Sequence, residues 1–140
     1  MVLMTRYRAA AILMLIHGAL MEVGTAIAVI PLVLLRVDAA TVGEHFSFIV
    51  PYLQENLYLM MVMSGIFGAL RVIGAIGVLR NRLWGLVLAL ANCVVTLALM
   101  IFLLPAGIVD GVLAGGALIL LLQGWLGSAP ILPRPAGRRP

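Results

Sequence analysis

Apolar residues run along the chain in four long stretches that polar residues interrupt only briefly. The stretches cover approximately residues 9–35, 57–79, 83–104 and 106–126. A helix needs about 20 apolar residues to cross a bilayer, and each stretch meets that length. The pattern predicts an all-α, polytopic integral membrane protein, in which residues 1–126 form a single bundle of four transmembrane helices.

The first stretch superficially resembles a secretory signal peptide, because Arg6 and Arg8 precede it. A signal core has about 7 to 15 apolar residues and ends at a small-residue cleavage site. This stretch is nearly twice as long, and it contains Glu22 and Pro31. We therefore expect it to be retained as the first transmembrane helix.

Polar connections divide the four spans unequally. Residues 80–82 make a tight turn between the second and third spans, which predicts an antiparallel helical hairpin. Residues 36–56 form the one sizeable loop, where Thr41 and Glu44 have the spacing of a capping box. Before Pro51, the loop is predicted to form a short interfacial helix that serves as a membrane anchor or, alternatively, as a lid. The apolar residues of this helix are Phe46, Phe48, Ile49 and Tyr52.

Composition excludes a water-soluble globule. Of the 140 residues, 64% are hydrophobic and 10% are charged, and the mean hydropathy is +1.22. All nine basic residues are arginines, and the net charge is +4. They are spread over the ends of the spans, which favours contact with membrane lipids over binding of nucleic acid. The single Cys93 forms no intramolecular disulfide and no paired-cysteine motif.

Arginine placement predicts the orientation, because basic residues in short loops are retained in the cytoplasm. Seven arginines lie on one side of the membrane and Arg36 alone lies on the other. We expect a multi-pass protein of the cell membrane with both termini in the cytoplasm. The Pro- and Arg-rich segment 127–140 is then a cytoplasmic tail, and the 36–56 loop is exterior.

Polar residues inside the spans mark a candidate buried site. At about 1.5 Å per residue, they form two layers, about 12 to 14 Å and about 20 Å from the cytoplasmic ends. Because a lone charge is costly in a bilayer, we expect Glu22 and Arg71 to be linked directly or through water. The first layer contains His17, Arg71 and Asn92; the second contains Glu22, Ser64 and Thr96.

Two roles are open for this site: it fixes the register of the helices, or Glu22 binds a proton or a cation. Five α-helical residues rotate His17 about 140° from Glu22, so a shared metal site is not expected. The methionines are predicted to be apolar packing residues rather than copper ligands. The sequence therefore predicts no cofactor, metal or catalytic residue.

Small residues predict close helix packing. Gly107, Gly111 and Gly115 form two overlapping GxxxG motifs, and Gly65 and Gly68 belong to a similar pattern in the second span. Their partner helices are either in the same chain or in another subunit. Two such surfaces favour a homo-oligomer or a complex with other membrane proteins.

The segment Ala19-Leu20-Met21-Glu22-Val23-Gly24-Thr25 resembles the first helix of the small multidrug resistance transporters. The resemblance covers these seven residues, and it implies that Glu22 is the proton-coupled residue. Our first functional prediction is a non-enzymatic structural or accessory subunit. The alternatives are a small proton- or cation-coupled transporter or channel that uses Glu22 with Arg71, and a membrane enzyme that acts on a lipophilic substrate.

Overall fold

A computed structural model describes residues 2–127 and Ile131, and gives side-chain burial from Arg6 onward. Four of its helical segments are long and apolar enough to cross a membrane, which confirms an all-α, multi-pass bundle. These segments are Arg6–Leu34, Leu57–Leu79, Leu83–Met100 and Ile108–Trp125.

The first span contains three consecutive helical segments. It begins with α1 (Val2–Leu15), continues as a π-helix over Ile16–Val23, which we call the π segment, and ends with α2 (Gly24–Leu34). Two short helices follow in the loop, and the remaining spans are single helices. These are α3 (Ala39–Gly43), α4 (Pro51–Glu55), α5 (Leu57–Leu79), α6 (Leu83–Met100) and α7 (Ile108–Trp125).

The predicted hairpin is formed by α5 and α6. Arg82 donates a backbone hydrogen bond to the Gly77 carbonyl at 2.9 Å, and Asn81 adopts a left-handed backbone conformation with φ 52°. A Cβ atom added to Gly85 would overlap the backbone of Gly77. The two helices therefore approach each other most closely beside the turn, where only glycine fits.

The third span ends earlier than the sequence predicts. Helix α6 stops at Met100, whereas the apolar stretch continues to Leu104, so that prediction is wrong by about one turn. Pro105 has no backbone N–H and restricts the residue before it, which disfavours continuation of the helix. The Leu104 carbonyl instead accepts a hydrogen bond from Ile49 in the loop, at 3.0 Å.

The loop also differs from the prediction in detail. Its first short helix lies at Ala39–Gly43, before the aromatic residues, and Asp38 caps it by accepting from the Ala40 N–H at 3.3 Å. The Thr41–Glu44 capping box does not form. Asp38 supplies the same kind of side-chain acceptor three residues earlier and so defines the helix start.

Burial is uneven along the bundle axis. We call the end near residues 80–82 the turn side and the end near residues 36–56 the loop side. The buried apolar cluster occupies the turn side, where Tyr7, Met14, Leu86 and Leu121 are almost fully enclosed. The loop side contains a cavity, and the polar residues lie between the two regions.

Candidate functional site

Arg71 is the centre of the buried polar site. It projects from α5, is 1% exposed, and contacts both predicted layers. Its Nε donates to Asn92 Oδ1 at 3.0 Å, and its Nη2 lies 3.0 Å from Glu22 Oε1. Nη2 also donates to Thr96 Oγ1, and Nη1 contacts His17 Nδ1. A planar guanidinium, which has five fixed donors, suits such a set of acceptors.

His17 joins Arg71 to an acidic residue on the fourth span. Because a guanidinium has no acceptor, Nδ1 of His17 must accept from Arg71, and the ring proton is then on Nε2. Nε2 donates to Asp110 Oδ1 at 2.9 Å. The same nitrogen lies 3.9 Å from Glu22 Oε1. One imidazole N–H therefore faces two carboxylates.

The π segment is the reason that His17 and Glu22 meet, and the α-helical angle predicted between them is wrong. In a π-helix the backbone hydrogen bond joins residues five apart, so two residues with this spacing lie on nearly the same side of the helix. His17 and Glu22 are five residues apart within Ile16–Val23. Gly18 accommodates the segment, because a Cβ atom there would overlap the Gly68 carbonyl oxygen of α5.

Glu22 is enclosed but incompletely hydrogen bonded. The residue is 9% exposed; Oε1 pairs with Arg71, while Oε2 is buried and has no partner among the described residues. Ser64 contacts the Glu22 main-chain carbonyl rather than its carboxylate, at 3.4 Å. With His17 neutral, two carboxylates and one guanidinium give this group a net charge of −1. Such a charge is unfavourable in a low-dielectric interior.

A cavity of about 500 Å³ extends from this polar group toward the loop side. Its polar lining comes from Glu22, Thr25, Ser64, Thr96 and Asp110, and we call Glu22, Ser64, Thr96 and Asp110 the cavity floor. Its apolar wall contains all four phenylalanines of the chain and five of its eight methionines. These residues are Phe46, Phe48, Phe67, Phe102, Met21, Met60, Met61, Met63 and Met100.

The loop borders the cavity at its outer end. Phe46 and Phe48 line the cavity, and their rings lie parallel, with centroids 6.2 Å apart. Gln54 Nε2 donates to the Gly43 carbonyl at 2.9 Å and holds the two short helices together. These aromatic side chains face a space between the spans, which is what a lid over a site requires. The alternative, that the loop anchors the protein at the membrane surface, stays a prediction.

The predicted packing glycines contact residues of their own chain. Those of α7 approach α6 and the segment that follows it: Gly107 faces Leu103 and Met100, Gly111 faces Met100, and Gly115 faces Leu97. Those of α5 approach the first span, Gly65 at Ala26 and Gly68 at Gly18 and Glu22. The two small-residue surfaces are therefore occupied within the monomer.

Asp110 and the cavity wall are the features that the sequence analysis missed as parts of a site. Asp110 is a carboxylate in the first turn of the fourth span, without a basic residue nearby in the sequence, and this is the signal that indicates a distant partner. His17 supplies that partner 93 residues away. The clustering of phenylalanine and methionine has no comparable signal, because both residue types are common packing residues in apolar helices.

Comparison of the chain with protein-family models, with curated proteins and with solved structures found no match.

Proposed function

We propose that the protein is a small proton- or cation-coupled transporter that binds an organic solute in the cavity and uses Glu22, paired with Arg71, as the coupling residue. The observation that carries the proposal is the enclosed Glu22 carboxylate at the cavity floor, with Oε2 unpartnered. Ionisable residues inside membrane spans commonly mark ion or proton pathways.

The charge balance of the buried polar group couples binding of a cation to release of a proton. The group formed by Glu22, Asp110, Arg71 and His17 has one uncompensated negative charge, which a proton or a bound cation neutralises. Arg71 stays fixed by Asn92 and Thr96, so the exchangeable position is on the carboxylates. Departure of a cation favours uptake of a proton by Glu22, and arrival of a cation favours release of that proton.

Access is from the loop side, since the turn side is filled by the buried apolar cluster. Transport then requires a second arrangement in which the turn side opens and the loop side closes. The loop residues Phe46 and Phe48, which line the outer end of the cavity, are positioned to close it.

Proteoliposomes test the proposal. A proton gradient is imposed, and proton flux is followed with an enclosed pH-sensitive dye after addition of a primary amine, a quaternary ammonium ion or a neutral analogue of the same size. We expect at least one probe to drive proton flux above that of protein-free vesicles. Glu22→Gln should abolish the excess, and Glu44→Gln, at an exposed loop acid, should retain it. Flux that is equal for wild type and Glu22→Gln would overturn the proposal.

The accessory subunit predicted first from the sequence stays an alternative proposal. It has less support, because the glycine surfaces invoked for partner helices contact residues of the same chain. A stoichiometric membrane-protein partner in native mass spectrometry of protein purified from its own membrane would favour it. A Glu22→Gln variant that still converts a lipophilic substrate would instead favour an enzyme.

A further inference from the structure

We propose that the solute at the cavity floor is a lipophilic organic cation that carries N–H groups, namely a protonated primary or secondary amine. This inference rests on the proposed function, because it names the class of solute for the same cavity. It is based on the hydrogen-bond donors and acceptors that have no partner once Glu22, Asp110, Arg71 and His17 have bonded to one another and to their neighbours.

Most hydrogen-bond donors of the polar group and of the cavity floor are already used. Arg71 directs Nε, Nη1 and Nη2 to Asn92, His17, Thr96 and Glu22. His17 uses both ring nitrogens, one toward Arg71 and one toward Asp110. The hydroxyl of Ser64 is directed to the main-chain carbonyl of Glu22. Among the described residues of the floor, the Thr96 hydroxyl accepts from Arg71 and has no assigned acceptor of its own, so a solute that approaches the floor finds few free donors.

The acceptors are incompletely used. Glu22 Oε2 has no hydrogen-bond partner among the described residues. Asp110 binds His17 through Oδ1 alone, and its side chain is 34% exposed and lines the cavity. Both carboxylates approach the same imidazole nitrogen, Glu22 through Oε1 at 3.9 Å and Asp110 through Oδ1 at 2.9 Å. A buried acceptor without a donor is costly, and a solute N–H removes that cost.

Oε2 is enclosed, so a solute reaches it after rotation of the carboxylate. The terminal torsion of a glutamate side chain is soft, with broad and roughly two-fold preferences. A partial rotation about this bond moves the two oxygens without moving the helix. One oxygen can then keep the contact with Arg71 while the other turns toward the cavity.

Charge and wall chemistry complete the description of the solute. The net charge of −1 at the floor attracts a single positive charge and repels an anion. Phenylalanine and methionine side chains in the wall suit an apolar body, and aromatic faces attract an ammonium group. The volume of about 500 Å³ is within the range of sites for drug-sized molecules.

The requirement for N–H groups separates closely related cations. A quaternary ammonium ion has the same charge and a similar apolar body, but it donates no conventional hydrogen bond. It leaves Glu22 Oε2 unsatisfied. The geometry therefore favours the protonated amine over its permethylated analogue, although coulombic attraction is common to both.

Equilibrium binding to the purified full-length protein tests this preference. The probes are dansylcadaverine, a fluorescent primary amine, and its N,N,N-trimethyl analogue, followed by fluorescence in the same detergent. Because a hydrogen bond to a charged group strengthens binding, we expect the primary amine to bind at least about tenfold more tightly. Equal affinities, or tighter binding of the trimethyl analogue, would overturn the inference.

Substitutions test whether the cavity floor causes the preference for the primary amine. Glu22→Gln should remove most of the difference between the probes, Asp110→Asn should reduce it, and Glu44→Gln should leave it unchanged. Thermal unfolding of each variant checks that it is folded. If Glu22→Gln does not fold, Asp110→Asn carries the test, and an unchanged probe ratio in that variant contradicts the inference.

The binding experiment and the transport experiment test the two proposals independently. A preference for the primary amine without solute-driven proton flux contradicts the proposed transport function and leaves the assignment of the ligand intact. Proton flux that is driven equally well by the trimethyl analogue has the opposite meaning, because transport is then supported and the N–H requirement is not.

Discussion

Arg71 is the residue on which the polar site depends. It is almost fully buried, and its partners come from the π segment and from α6. A buried ion pair adds little net stability compared with apolar residues, but removal of one partner leaves an uncompensated charge. The effect of a substitution at Arg71 should therefore depend on whether Glu22 is still charged.

Arg71→Gln should lower the free energy of unfolding by about 3 to 5 kcal/mol, since it leaves the Glu22 carboxylate buried without a counter-charge. Thermal unfolding in detergent, monitored by tryptophan fluorescence, measures the change. Arg80→Gln, at an exposed position beside the turn, is the matched control and should change stability little.

The double variant Glu22→Gln/Arg71→Gln separates lost charge pairing from lost packing. It should recover part of the stability that Arg71→Gln loses, because the unpaired carboxylate is gone. If Glu22 and Arg71 did not interact, the stability losses of the two single variants would add in the double variant. A double variant whose loss equals that sum would therefore contradict the pairing.

At the scale of elements, hydropathy was sufficient to find the four spans, because span length is set by the bilayer rather than by local propensity. The end of α6 and the start of the loop helix were missed, and each depends on a single residue, Pro105 and Asp38. Both positions are visible in the sequence. A proline beyond a span and an aspartate before a short helical segment are local signals that the continuous apolar pattern obscures.

The π segment could not be predicted from periodicity. An α-helical pattern and one with a local π turn differ by a single residue in register, and the apolar residues around Glu22 fit both. Tertiary contacts distinguish the two backbones. His17 and Glu22 both reach Arg71, and each other, when residues five apart lie on the same side of the helix. The sequence indicates which polar groups are buried, whereas the backbone determines which of them meet.

Helix packing at the hairpin gives a prediction at this scale. Gly85→Ala should lower the free energy of unfolding by about 1 to 3 kcal/mol, because its Cβ atom would overlap the Gly77 backbone and the helices would have to separate. Gly24→Ala is the matched control, since a Cβ atom there meets nothing within 4 Å. Alanine is also the better helix former, so the control should be neutral or slightly stabilising. Equal unfolding midpoints for the two variants would contradict the close approach.

The whole molecule combines a closely packed half with a hollow half. On the turn side, glycine and alanine allow the spans to approach closely, as at Gly74 and Ala89. On the loop side, phenylalanine and methionine surround a cavity. The polar group lies at the boundary, where it is shielded from the turn side and reachable from the loop side. This asymmetry gives the orientation in the membrane a functional meaning, because it determines which compartment the cavity faces.

The orientation of the protein in the membrane can be tested directly. The arginine count predicts that the turn side and both termini are cytoplasmic, so the cavity should open outward. In a bacterial host, a fluorescent protein fused to the C-terminus should fold and fluoresce, whereas a C-terminal alkaline phosphatase, which needs oxidising conditions, should be inactive. In a Cys93→Ala background, Thr41→Cys, at an exposed loop position, should react with a membrane-impermeant maleimide on intact cells, and the parent without cysteine should not. An active phosphatase fusion together with an unreactive Thr41→Cys would indicate the opposite orientation. The cavity would then take its solute from the cytoplasm.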